Sequence, residues 1–188
     1  MKIVTTAFPG LLIIEPKVFD DSRGYFYESY NEKNFHQAGI PTHFVQDNQA
    51  LSSYGVVRGL HFQLPPHAQA KLIRAIQGSI LDVVVDIRKG SPTYGQSFSI
   101  ELSAENKKQF FIPKGFAHGY SVLSPTAEVM YKCDAFYSPA SEGGIIYNDP
   151  ALNIDWQIPE ADRIISEKDK LYPTLSESQN TFVFAQSE

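Results

Sequence analysis

The clearest signal along the chain is alternation. Residues 81–87, Leu-Asp-Val-Val-Val-Asp-Ile, put Leu81, Val83, Val85 and Ile87 on one face, and residues 97–102 alternate in the same way. A period of two marks a strand, so both segments read as strands of a sheet with one buried face. Further strand-like runs fall at residues 44–48, 56–63, 71–77, 109–112, 120–123, 127–133 and 144–147. Turn signals separate them at short spacing: Gly78, Gly90-Ser91-Pro92, Lys114-Gly115 and Ser124-Pro125. A turn at Arg23-Gly24 precedes an aromatic run over residues 25–30 that also reads as a strand. Residues 31–38, closed by Gly39, carry the best internal helix pattern, and a second short helix is expected near residues 166–170. Many short strands bounded by turns predict an all-β sandwich or barrel rather than a βαβ fold.

Composition narrows the picture. A chain of 188 residues without a Pro/Gly/Ser-rich linker reads as one domain, residues 1–188, with a single core. One cysteine, Cys133, excludes an internal disulfide framework and a cysteine cluster for zinc, which suits a reducing cytoplasm. No apolar run approaches the ~20 residues that span a bilayer, and no export signal opens the chain. A net charge of −5 repels nucleic acid, so a phosphate-bearing ligand needs a local cluster of cations. Thirteen Phe and ten Tyr serve mostly as packing mass, but Tyr137 lies in a polar stretch, Tyr-Ser-Pro-Ala-Ser, that suits a stacking role.

The candidate chemistry gathers around two histidines, His61 in Val-Arg-Gly-Leu-His-Phe-Gln and His118 in Ile-Pro-Lys-Gly-Phe-Ala-His-Gly. Each sits near a glycine that allows close backbone approach, so both belong beside one pocket in a barrel. Arg58 and His61 are three apart and would face opposite sides of a regular strand. A bulge at Gly59 would turn both toward the same cavity. Lys71 shares a face with Ile73 and Ala75, while Arg74 takes the other, so a buried Lys71 calls for a negative partner. Tyr131 shares a face with Ala127, Val129 and Cys133 and points inward. Asp169 closes Ser166-Glu-Lys-Asp169, which fits a capping box as well as it fits a carboxylate that orients a histidine. On the residues alone, His61 and Tyr131 also fit core positions, and Lys71 fits a solvated strand end.

These pieces together resemble the dTDP-4-dehydrorhamnose 3,5-epimerase family, metal-free sugar-nucleotide epimerases of the cupin class. Pro113-x-Gly115-x-x-His118 matches the second cupin motif, and Gln63 stands where metal-binding cupins place the second histidine of His-x-His. The match runs over residues 8–175 and includes Phe19-Asp-Asp-Ser-Arg23-Gly-Tyr-Phe-Tyr-Glu28. The resemblance implies a cupin-type double-stranded β-helix, or jelly roll, with no metal and no cofactor. It implies epimerisation of dTDP-4-dehydro-6-deoxyglucose, with His61 as base, Asp169 as its orienter, Lys71 beside the ketone oxygen and Tyr131 as proton donor. It further implies substrate contacts from Arg58, Gln46, Asp47, Asn48, His118, Glu142 and Lys168, with Tyr137 on thymine. A homodimer is expected, in which an N-terminal strand crosses to the partner and carries Arg23 to the diphosphate and Glu28 toward the nucleoside. An epimerase of one carbon only, a non-catalytic sugar-binding barrel and a metal-dependent cupin are the alternatives; the last requires two or three histidines and a carboxylate around an open site.

Overall fold

The computed structural model describes residues 1–185. Its strands, in chain order, are β1 Lys2–Thr5, β2 Leu12–Glu15, β3 Phe19–Asp21, β4 Gly24–Phe26, β5 Gln46–Ser53, β6 Val56–Gln63 and β7 Lys71–Gln77. They continue with β8 Ser79–Asp86, β9 Ser97–Ser103, β10 Gln109–Ile112, β11 Phe116–Val122, β12 Thr126–Cys133, β13 Glu142–Gly144 and β14 Ile164–Ile165. One helix, α1 Glu32–Gln37, begins at the Asn31 cap, whose side chain accepts from the Asn34 N–H, and gives way to Gly39 at φ +86°. No helix among the described residues is long and apolar enough to cross a membrane.

One sheet has the order β1-β2-β10-β7-β12-β5 and the second β13-β6-β11-β8-β9, with β14 added in parallel to β6. All other pairs within them are antiparallel. The two sheets face one another, and their inner faces meet in a core that includes Ile73, Phe110, Ala127 and Val129 from the first and Ile80, Val84, Leu102 and Val122 from the second. This is the expected all-β jelly-roll sandwich, stabilised mainly by burial of these inward positions. The outer face of the first sheet is partly covered by α1, through Phe35 against Leu72 and Phe111.

β8 departs from expectation. Both of its faces are buried, not one. Leu81, Val83, Val85 and Ile87 point away from the sandwich interior and lie beneath the C-terminal segment, against Ile145, Leu152 and Trp156. The even positions face inward, so Asp82 and Asp86 are both 0% exposed. Asp86 is satisfied by Arg88, Ser91 and Thr93; Asp82 belongs to the site described below. Alternation distinguishes two faces but cannot tell which neighbour covers each, and residues beyond 144 cover the face that otherwise meets water.

The aromatic strand expected over residues 25–30 ends at Phe26. It forms the second arm of a hairpin, β3 with β4, that turns at Ser22-Arg23 and stands apart from both sheets. Strands β1 and β2 carried no signal recognised in the sequence. Residues 166–170 form only a turn leading into a 3-10 helix, Asp169–Leu171.

Candidate active site

Between the facing sheets opens a cavity of about 380 Å³, lined from β5, β6, β7, β11 and β12. Its geometry begins with a bulge. On β11 His118 and Tyr120 are two apart, but their partners on β6, His61 and Arg58, are three apart. The extra residue is accommodated at Gly59, whose φ of +126° favours glycine. Space demands glycine too: a Cβ on Gly59 would lie 2.6 Å from Gly119 Cα, and one on Gly119 would lie 2.5 Å from Arg58 O. Two facing glycines thus let β6 and β11 approach while Arg58 and His61 both turn into the cavity.

Each histidine is held by a buried aspartate. His61 Nε2 lies 2.9 Å from Asp169 Oδ1, and the other carboxylate oxygen accepts the Gly59 N–H at 3.0 Å. Burial alone would raise the pKa of Asp169, but the bonds from His61 and Gly59 outweigh it and the pKa is lowered. The capping reading is half right: Ser166 Oγ accepts the Asp169 N–H at 3.1 Å, while the acidic side chain reaches across to β6. An ionised Asp169 can only accept, so the shared proton sits on Nε2 and Nδ1 of His61 carries the free lone pair.

His118 Nε2 lies 3.0 and 2.9 Å from the two oxygens of Asp82. Asp82 was not singled out in the sequence. Its signal was present, since an aspartate in the middle of so apolar a strand is costly unless paired. Burial raises its pKa, against the pull of His118.

From the opposite sheet come Lys71 and Tyr131. Burial lowers the pKa of Lys71. The ion partner expected for it is missing: among the described residues no carboxylate lies within 4 Å of its ammonium. Its charge is therefore available to a ligand. Tyr131 faces inward beside the core, as expected, and burial raises its pKa, so the phenol holds its proton.

The mouth is polar. Glu142 Oε2 accepts from Tyr137 Oη at 2.5 Å, Oε1 accepts from Tyr172 Oη at 2.7 Å, and Lys168 is bonded to the same carboxylate. Burial pushes the Glu142 carboxyl up, but these three bonds prevail and bring its pKa to about 2. Tyr172, also missed in the sequence, meets the His61 ring edge-on at 5.6 Å. Gln63 ties this rim together. Its amide donates to His67 O and Phe136 O and accepts from Ser138 N, so it braces the loop that carries Tyr137.

Of the other expected site residues, Gln46 and Asn48 line the cavity, but Asp47 does not. Strand alternation turns Asp47 to the outer face, where it pairs with Lys132 at 2.9 Å. Arg23 and Glu28 also lie outside: Arg23 is bonded to Asp21 on the hairpin, and Glu28 accepts from Asn31 and Asn34.

The family model described as dTDP-4-dehydrorhamnose 3,5-epimerase matches residues 5–177. The chain is similar to the dTDP-4-dehydrorhamnose 3,5-epimerase of Shigella flexneri, with 52% identity over 170 residues, 90% of this chain and 93% of that one. Its structure is similar to that of the dTDP-6-deoxy-D-glucose-3,5-epimerase of Legionella pneumophila in complex with dTDP-4-keto-L-rhamnose. That likeness has a TM-score of 0.90 and 48% identity, over 94% of this chain and 93% of the other. A 3'-monoepimerase from Streptomyces bikiniensis in complex with dTDP-quinovose is more distant, at TM-score 0.84 and 32% identity over 91% and 86% of the two chains.

Proposed function

The chain belongs to the dTDP-4-dehydrorhamnose 3,5-epimerase family, and from that premise we propose how the residues of its cavity divide the work. The enzyme is an isomerase. It epimerises dTDP-4-dehydro-6-deoxy-D-glucose at carbons 3 and 5 to dTDP-4-dehydro-L-rhamnose, in dTDP-L-rhamnose biosynthesis.

His61 is the base. Nδ1 takes the proton from the carbon beside the 4-ketone, and Asp169 stabilises the imidazolium that results. The electron pair left on carbon passes to the ketone oxygen as an enolate, where the unpaired ammonium of Lys71 meets the developing charge. Tyr131 then delivers a proton to the opposite face of the carbon. The observation that carries this reading is the placement of base and donor: His61, backed by Asp169 of the C-terminal segment, comes from one sheet and Tyr131 from the other, with the cavity between them. A sugar ring in that gap has one on each side, as inversion requires.

Arg58, Gln46, Asn48 and His118 contact the sugar and diphosphate, while Tyr137, Glu142 and Lys168 hold the nucleotide at the mouth. Arg23 and Glu28 reach the site of a second copy in a homodimer. Support for the dimer comes from the β3–β4 hairpin, whose Tyr25 and Phe26 are 58% and 70% exposed, and from Leu51 and Ile76, exposed on the outer face of the first sheet. So much apolar surface calls for a covering partner.

The test is solvent exchange in heavy water, resolved by carbon. Deuterium enters at both C3 and C5 with the wild-type enzyme, and His61→Asn abolishes both exchanges while still binding dTDP. Labelling of one carbon alone would reduce the enzyme to a mono-epimerase, and exchange near the wild-type rate in His61→Asn would remove His61 from the mechanism.

A further inference from the structure

Among the described residues one buried side-chain polar atom has no hydrogen-bond partner, and it is in this cavity: Oη of Tyr120. Tyr120 is 5% exposed. It stands two residues beyond His118 on β11, so both side chains leave the strand on the same inward face. Its strand neighbours are Arg58 on β6 and Asp82 on β8. Nearby groups are already engaged. Ser52 Oγ accepts both Nε and Nη2 of Arg58, at 3.2 and 3.1 Å; it lies close enough to tug the phenol's pKa downward but not in bonding geometry with it. Both Asp82 oxygens are taken by His118. Burial dominates and keeps the Tyr120 proton in place. The result is a dry O–H donor beside Arg58 and Tyr131.

An unsatisfied buried donor destabilises a fold, and phenylalanine would fill nearly the same volume without that cost. A hydroxyl kept there is explained if something absent from the free protein accepts from it. We infer that Tyr120 is a specificity residue whose O–H donates to an oxygen of the substrate's hexose, and not to its nucleotide; the inference rests on the sugar-nucleotide reading of this cavity. Depth makes the choice. Tyr137 at the mouth is 56% exposed, whereas Tyr120 and His118 on the floor are 5% and 8% exposed. A ligand with its nucleoside at the mouth puts its sugar on the floor, within the ring of Lys71, Tyr131 and Arg58. A polar group that finds its partner only in the complex also discriminates against sugars lacking that oxygen, because the donor then stays unpaired.

Tyr120→Phe removes the hydroxyl alone. Affinities for dTDP-glucose and for dTDP are measured by calorimetry on wild type and variant, with the melting temperature and kcat/KM on the keto-sugar nucleotide. Affinity for dTDP-glucose and kcat/KM should each fall about tenfold, the worth of one neutral hydrogen bond. Affinity for dTDP and the melting temperature should be unchanged, or the latter raised. Unchanged dTDP-glucose affinity overturns the inference, as does an equal loss for dTDP, which would place the contact on the nucleotide. A lowered melting temperature overturns it too, since the hydroxyl would then be bonded inside the protein. The binding arm decides the point even if wild type turns over no keto-sugar, an outcome that would sink the epimerase reading instead.

Discussion

His61 and Asp169 are 108 residues apart, and their contact orients the ring of the strand histidine proposed as the base. Asp169→Asn keeps the shape but offers an amide where the carboxylate was. The turnover number should fall by roughly 10²- to 10⁴-fold, the usual range for general base catalysis, while dTDP still binds. Stability changes with a definite sign. The folded pKa of Asp169 lies below its ordinary 3.8, so folding favours the ionised form. Its contribution is complete above that ordinary value and is lost as pH falls through the lower folded one. Urea unfolding across the acid range should therefore show a shallower loss of stability in the variant than in wild type. If Asp169 were only a helix cap, stability would drop at neutral pH and turnover would hold.

At the scale of elements, the paired glycines of β6 and β11 are the most demanding feature. Gly119→Ala puts a methyl 2.5 Å from Arg58 O, against backbone that cannot swing aside. We expect a loss of about 1–3 kcal/mol in chemical denaturation, as for other overpacked sites. Activity should fall further than stability, because the strands that spread apart carry both histidines. Wild-type activity in a stably folded Gly119→Ala would show that the close approach is dispensable. The bulge itself was legible in the sequence, since the three-residue spacing of Arg58 and His61 needs a glycine between them to serve one cavity. So were the strands around Lys71 and Tyr131, whose alternation reports their own inward faces. Asp82 was not, because the period of two in residues 81–87 marks the apolar face without saying that residues beyond 144 lie over it. Asp169 could be read only as a cap or an orienter, since local sequence reports the Ser166 bond and is silent on a strand far away in the chain. Asp47 was carried along with Gln46 and Asn48 by resemblance, although alternation alone sends it to the other face.

At the scale of the whole molecule, the roles proposed for Arg23 and Glu28 require a second copy, because their own chain holds both outside its cavity. The proposed two-fold dimer, exchanging its β3–β4 hairpins, would meet that requirement with the same surface used by both copies. Arg23→Ala and His61→Asn should each be impaired alone. Mixed under conditions of confirmed subunit exchange, they should regain about one working site per heterodimer, because one site then receives both intact residues. Failure to complement would refute the shared site. The C-terminal segment, which covers the outside of the second sheet and supplies Asp169, has its own consequence for biosynthesis. A ribosome that has delivered every strand through β13 has made both histidines, the lysine and the tyrosine, but not Asp169, the carboxylate proposed to orient His61. Until the segment after β13 emerges and docks, the outer face of β8 is uncovered and His61 has no Asp169 beside it, so on the proposed mechanism a chain terminated there is at best as slow a catalyst as Asp169→Asn.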